Sequence, residues 1–152
     1  MSNNAADHYL RTKVLTATPE QLQMMLYDGA IRFAEQGRIA LEQKNFEKSY
    51  ETLTRAQKIV LEFIAGLKRS VAPDLCDKLT GLYAFCHRRL VEANLKHDPA
   101  LVDEALDVLR YQRETWQMLM QKLAQGKAAK MARTLDIPAP SARMEASISF
   151  SG

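Results

Sequence analysis

Thr18-Pro19-Glu20-Gln21-Leu22-Gln23-Met24-Met25-Leu26-Tyr27-Asp28-Gly29-Ala30-Ile31-Arg32-Phe33-Ala34 reads as a capped start followed by a helical period. Thr18 is a good N-cap, Pro19 suits the first helical position, and Gln21 can reach back to close a capping box. At about 100° per residue, Leu22, Leu26, Gly29 and Phe33 fall on one stripe, which Gly37 and Ala40 continue. Met24, Tyr27, Ile31 and Ala34 form a second stripe on roughly the opposite face. A surface helix in a small bundle needs one apolar face. The second stripe is therefore expected either to be sandwiched by other helices or to line a groove for a partner, and the residues alone leave both readings open.

Outward from this helix the same signals recur. The first long helix is expected over 18–44, after which Asn45 offers a turn and a new N-cap. A second helix follows over 46–67, with Phe46, Tyr50, Leu53, Gln57, Val60, Leu61 and Ile64 read as its inner stripe. Ser70-Val71-Ala72-Pro73 punctuates the next turn. A third helix is expected over 74–96, facing inward with Leu75, Leu79, Leu82, Cys86, Leu90 and Ala93. Asp98-Pro99 repeats the cap-plus-proline start of a fourth helix over 99–125, with Leu101, Ala105, Val108, Leu109, Gln112, Trp116, Leu119 and Leu123 inward and Gly126 as its stop. Long helices joined by short turns reverse direction at each turn, so the expected fold is all-α, an antiparallel up-down four-helix bundle. Residues 1–17 read as a loosely attached N-terminal cap segment, and 127–152, rich in Ala, Ser and Pro, as a mobile tail with at most a helical turn or two near 128–135.

The chain has 152 residues and a formal net charge of +3. Lys127, Lys130, Arg133 and Arg143 against Asp136 and Glu145 put +2 of that charge in the tail, which leaves 3 − 2 = +1 for residues 1–126. No concentrated basic face marks the folded part as a nucleic-acid binder. The apolar runs are too short for a bilayer span, so no direct membrane insertion is expected. The N-terminus lacks the basic start and apolar core of a secretory signal, so a cytoplasmic location is expected. Cys76 and Cys86 have neither a Cys-x-x-Cys nor a metal-ligand spacing and read as reduced packing residues.

Few motifs in the chain carry chemistry. No Glu has a His three residues later, as a di-metal bundle requires, and no phosphate loop, nucleophile elbow or Gly-x-Gly-x-x-Gly occurs. No catalytic residue, metal or cofactor is expected, and the chain is not read as an enzyme. Gln57, Arg89 and Gln112 read as polar groups satisfied at helix seams or as hydrogen-bonding groups of a groove.

Tyr9, Val14, Thr16-Ala17-Thr18-Pro19-Glu20-Gln21-Leu22 and Met25-Leu26-Tyr27-Asp28-Gly29-Ala30-Ile31-Arg32-Phe33 closely resemble the opening of the flagellin-specific export chaperones, the FliS family. Arg55-Ala56-Gln57-Lys58-Ile59-Val60, Ala93-Asn94-Leu95-Lys96, Leu109-Arg110 and Arg113-Glu114-x-Trp116 resemble its later landmarks in order and spacing. The resemblance covers about Tyr9 to Leu123. It implies a cytoplasmic chaperone that binds the disordered C-terminal segment of flagellin, prevents premature polymerisation and delivers it to the flagellar type III export apparatus. The cytoplasmic domain of the export gate would be a second partner. On this resemblance the partner-binding residues are Tyr9, Leu10, Val14 and Leu15, which would cover the groove in the free protein, with Met24, Tyr27, Ile31 and Ala34 beneath them. The tail 127–152, longer and more basic than the resemblance suggests, is either a contact for export machinery or an inert extension, the latter preferred. The alternative reading of the whole chain is a helical adaptor for another flagellar assembly factor or an anti-sigma factor.

Overall fold

A computed structural model of the chain describes residues 4–135. Among the described residues the structure is all-helical, with five helices and no strand: α1 Asn4–Thr16, α2 Pro19–Glu42, α3 Phe46–Ala65, α4 Pro73–Lys96 and α5 Pro99–Thr134. The chain divides into two compact units, 1–115 and 116–152, and α5 runs through the boundary. Residues 136–152 of the expected tail lie outside the described residues.

The helix starts follow the cap chemistry. The Thr18 hydroxyl accepts from the Gln21 amide at 3.1 Å, and the Gln21 side-chain oxygen accepts from the Thr18 amide at 3.0 Å, closing the capping box. Asn45 accepts from the Lys48 amide and Asp98 from the Ala100 amide. The turns need left-handed backbone at Lys44 (φ 58°) and His97 (φ 54°). His97 is held there by an imidazole stacked on the Phe46 ring at 3.9 Å, which ties the end of α4 to the start of α3. Gly126, read as a stop, lies inside α5 instead. A mid-helix glycine costs only about 1 kcal/mol, and Lys127-Ala128-Ala129-Lys130-Met131-Ala132-Arg133 after it are strong helix formers.

The two stripes read on the first long helix turn out to flank a single broad face. Tyr27, Ala30, Ala34, Gly37 and Leu41 are all buried; Tyr27 and Ala34 come from the second stripe, Gly37 from the first, and Ala30 and Leu41 fill the arc between them. This face escapes a count of bulky side chains because three of its five members are Ala or Gly. On one flank α2 meets α3 closely. A Cβ at Gly29 would lie 3.4 Å from Ile59 Cδ1, and one at Gly37 only 2.5 Å from Leu53 Cδ2.

Close approach also selects the buried row of α3: Ser49, Thr52, Leu53, Ala56, Val60 and Phe63. The buried hydroxyls bond back to their own helix, Ser49 to the Phe46 carbonyl and Thr52 to that of Lys48, so their burial carries no orphaned donor. Phe46, Tyr50 and Leu61, expected inside, are therefore turned out to solvent. A similar rotation affects α4, whose buried residues are Cys76, Tyr83, Cys86, Leu90 and Ala93 while Leu75 is exposed. In α5 the buried residues are Val102, Ala105, Leu106 and Leu109, and none after Leu109 is buried; Leu119 and Leu123, expected inside, are exposed.

The other flank of α2 faces α5 through ion pairs. Asp28 binds Arg113 at 2.5 Å, Glu35 binds Arg110 at 2.8 Å, and Arg38 holds Asp103 with two nitrogens. Rising numbers on α2 meet falling numbers on α5. The two-pronged bond from Arg38 holds the Asp103 carboxyl below the usual carboxylate range. Arg89 forms ion pairs with Glu92 at 3.0 Å and with Glu104 of α5 at 2.9 Å. Partly exposed pairs of this kind contribute little stability each; they fix which helix edges meet.

Cys86 is fully buried, and its thiol donates to the Ala105 carbonyl of α5 at 3.6 Å. Burial pushes this thiol up to about 12 from its ordinary 9.0. Above the unfolded value, the unfolded chain gives up a proton that the native one keeps. The stability contribution is thus fully present below about pH 9 and is lost as pH rises toward 12. The expected slope is about 1.4 kcal/mol per pH unit, read as a falling urea midpoint, and Cys86→Ala should flatten it. The buried Tyr83 phenol, raised first by burial and then by its hydrogen bond with Tyr27, adds to the slope once unfolded phenols ionise near pH 10.

Candidate interaction surface

The residues expected to meet a partner separate into three groups. Tyr9, Leu10, Val14 and Leu15 lie on α1 and are exposed by 68%, 51%, 40% and 78%. No residue of α1 is buried. In this structure the segment therefore buries little of its own apolar surface.

Met24 and Ile31 are half-buried on the α5-facing edge of α2. Gln21, Met24, Met25 and Asp28 of α2 line a cleft of about 360 Å³ at the α1–α2 junction together with Lys13, Thr16 and Ala17. This is the place where α1 and the second stripe come together. The thioethers give an adaptable lining, and Lys13 adds a cation beside Asp28, whose carboxylate is held by Arg113.

Tyr27 and Ala34 belong to the core, which corrects their assignment to an open surface. Ala34 has no exposure and Tyr27 only 3%. The Tyr27 and Tyr83 hydroxyls are 2.6 Å apart, and the Phe63 ring packs against both, at 4.6 Å and 5.3 Å between centroids. A pairing this enclosed has a testable signature. Tyr27→Phe leaves the Tyr83 hydroxyl without its partner and should cost about 1–3 kcal/mol, whereas Tyr27→Phe with Tyr83→Phe should restore most of it. A double variant as unstable as the single one would show that the bond is not what the pair contributes.

One exposed row was missed because it was read as core. Tyr50, Gln57, Leu61 and Ile64 share a side of α3; Tyr50 is 65% and Leu61 48% exposed, and Gln57 and Ile64 are half-buried. The signal was in the sequence: Ser49, Thr52 and Ala56 form a row of small residues matching Gly29, Ala30 and Gly37 on α2, and tight helix pairs bury small rows. Among the described residues no group of three or more His, Cys, Asp and Glu side chains is placed to hold a metal ion. No described helix is long and apolar enough to cross a membrane.

The chain matches the family model described as Flagellar protein FliS over residues 1–123. The chain belongs to the FliS family. Curated relatives include the flagellar secretion chaperone FliS of Bacillus subtilis, 33% identical over 113 residues, covering 74% of this chain and 84% of the relative. The FliS of Salmonella typhimurium is 32% identical over 114 residues, 74% of this chain and 84% of the relative. A solved structure titled a flagellar chaperone from bacteria aligns with a TM-score of 0.64 over 80% of this chain and 99% of its own, at 18% identity, which speaks for the fold.

The FliS landmarks recognised in the sequence have structural posts here. Asp28 and Arg113 pair across α2 and α5, as do Glu35 and Arg110, and the Arg55 guanidinium lies over the Phe33 ring at 5.5 Å. These FliS-like residues hold helices together, and the exposed apolar rows lie beside them.

Proposed function

We propose that this FliS-family chain is a cytoplasmic chaperone, not an enzyme, that binds the disordered C-terminal segment of flagellin. It thereby prevents premature polymerisation and delivers the subunit to the flagellar type III export apparatus, engaging the cytoplasmic domain of the export gate. The observation that carries this reading, beyond family membership, is the apolar surface that the folded chain leaves open. Tyr9, Leu10, Val14 and Leu15 on α1, the Met24 cleft, and Tyr50 and Leu61 on α3 all remain accessible. A disordered partner that folds on contact must recover its ordering entropy from a long apolar contact. Rows of side chains three, four and seven apart suit helices that form on binding.

The scaffold for this surface is read as an antiparallel four-helix bundle of α2 to α5. Supporting it are the crossed order of the α2–α5 ion pairs, Gly29 and Gly37 opposite Ile59 and Leu53, and Phe46 and Phe63 opposite His97 and Tyr83. Tyr27 and Ala34 stay inside this scaffold and are not offered to the partner.

Mixing the chain with purified flagellin should give a 1:1 complex by light scattering and a gain of helical signal over the sum of the parts. Flagellin without its C-terminal segment should give neither. Equal binding by the truncated flagellin would remove this mechanism.

A further inference from the structure

The second half of α5 has a character that the surface proposed for flagellin does not draw on. From Thr115 to Leu135 the sequence holds Lys122, Lys127, Lys130 and Arg133 and no Asp or Glu. The family match stops at residue 123, so three of these four cations lie beyond it. No residue of this stretch is buried, and Met118, Leu119, Leu123, Met131 and Leu135 are exposed large apolar side chains.

Their arrangement is amphipathic. At about 100° per residue, Met120, Leu123, Lys127 and Met131 share one face, with Leu119 and Leu135 at its edges. Lys122, Lys130 and Arg133 gather along the Leu119 edge. Gln121, Gln125, Ala128 and Ala132 make up the back, with Met118 beside Gln125. A helix with an apolar face, cations along its border and no anions matches a negatively charged, planar, partly apolar surface.

We propose that residues 116–135 form an interfacial helix that adsorbs to anionic phospholipid, lying in the headgroup plane without crossing the bilayer. The position of Lys127 favours lipid over an acidic protein groove. It sits in the middle of the apolar face, between Leu123 and Met131. In a protein groove that charge would be desolvated and would need a single matched carboxylate. At a lipid surface its four-carbon stem lies along the acyl boundary while the ammonium reaches the phosphates. The proposal stands apart from flagellin binding, which is measured without vesicles.

The test is flotation of the full chain with vesicles of phosphatidylcholine alone or of phosphatidylcholine and phosphatidylglycerol in equal parts. The single tryptophan, Trp116, reports adsorption by a blue shift of its emission. The chain is expected to float with the anionic vesicles only and to be released by high salt. Each cation near such a surface is worth about fivefold in affinity, so Lys127→Gln with Lys130→Gln should weaken binding about 30-fold. Leu123→Gln with Met131→Gln should also weaken it, and both variants should keep the parent's thermal transition because all four side chains are outside the core. No flotation, equal flotation with neutral vesicles, or undiminished binding by the lysine variant would each overturn the proposal. Retention on polyglutamate without any vesicle binding would overturn it in favour of an acidic protein partner.

Discussion

Leu53→Ala is expected to destabilise the chain by about 2–5 kcal/mol, and Gly37→Ala to lose most of its own cost in that background. The first figure is the usual cost of removing a fully buried leucine, the lost transfer energy plus the cavity; Leu53 has no exposure. A Cβ on Gly37 would sit 2.6 Å from Leu53 Cγ, 2.5 Å from its Cδ2 and 3.0 Å from the Thr52 hydroxyl. Leu53 is enclosed and cannot swing away, so Gly37→Ala alone overpacks the α2–α3 seam by about 1–3 kcal/mol, offset by about 1 kcal/mol of helix propensity. With Ala at 53 the clash is gone and the new methyl enters the vacated space. Gly37→Ala should then be neutral or stabilising. Urea midpoints of the four proteins give the coupling directly, and simple additivity would mean that these two residues do not set the approach of the helices.

Leu10→Asp with Val14→Asp is expected to weaken flagellin binding about 100-fold while leaving stability within about 0.5 kcal/mol. Both side chains are exposed in the free chain, so a charge there costs the fold nothing and costs an apolar contact most of its energy. The result also decides the role of α1. A segment that covers the groove would reduce apparent affinity by holding part of the population closed, and disabling it would tighten binding. Since α1 buries none of its own side chains, weakening is the expected sign. Tyr50→Asp with Leu61→Asp examines the row on α3 in the same assay. A loss there of tenfold or more would place that row in the contact, by the usual scale of interface anchors. Unchanged binding would confine the contact to α1 and the Met24 cleft.

The existence of α2 to α5 was legible, because caps and breakers are local chemistry. By contrast, α1 was read only as a loose segment, and α5 runs past its expected end at 125 to Thr134. Thr18-Pro19, Asn45 and Asp98-Pro99 each announce a start, and the structure begins helices at Pro19, Phe46 and Pro99. Which side of each helix faces inward was less legible. The inner stripes of α3 and α4 were placed by their bulky residues, yet α3 buries Ser49, Thr52 and Ala56, and α4 buries Cys76 and Tyr83 while exposing Leu75. The residues left the second stripe of α2 open between core and groove; Tyr27 and Ala34 are core, and Met24 and Ile31 its half-buried edge.

The family was written in the sequence, since Leu26-Tyr27-Asp28-Gly29-Ala30-Ile31 and the later Arg110 and Arg113 carry it without any fold. The sequence alone also determined the all-helical class and the positions of the turns, through propensities and caps acting over a few residues. Only the tertiary structure decided which apolar side chains stay open. That choice depends on how closely α2 and α3 approach, and the approach is set by glycines and alanines whose missing side chains leave no mark on a hydrophobic pattern. The interaction surface follows from the same cause: once small residues take the inside, Tyr50 and Leu61 are left facing out.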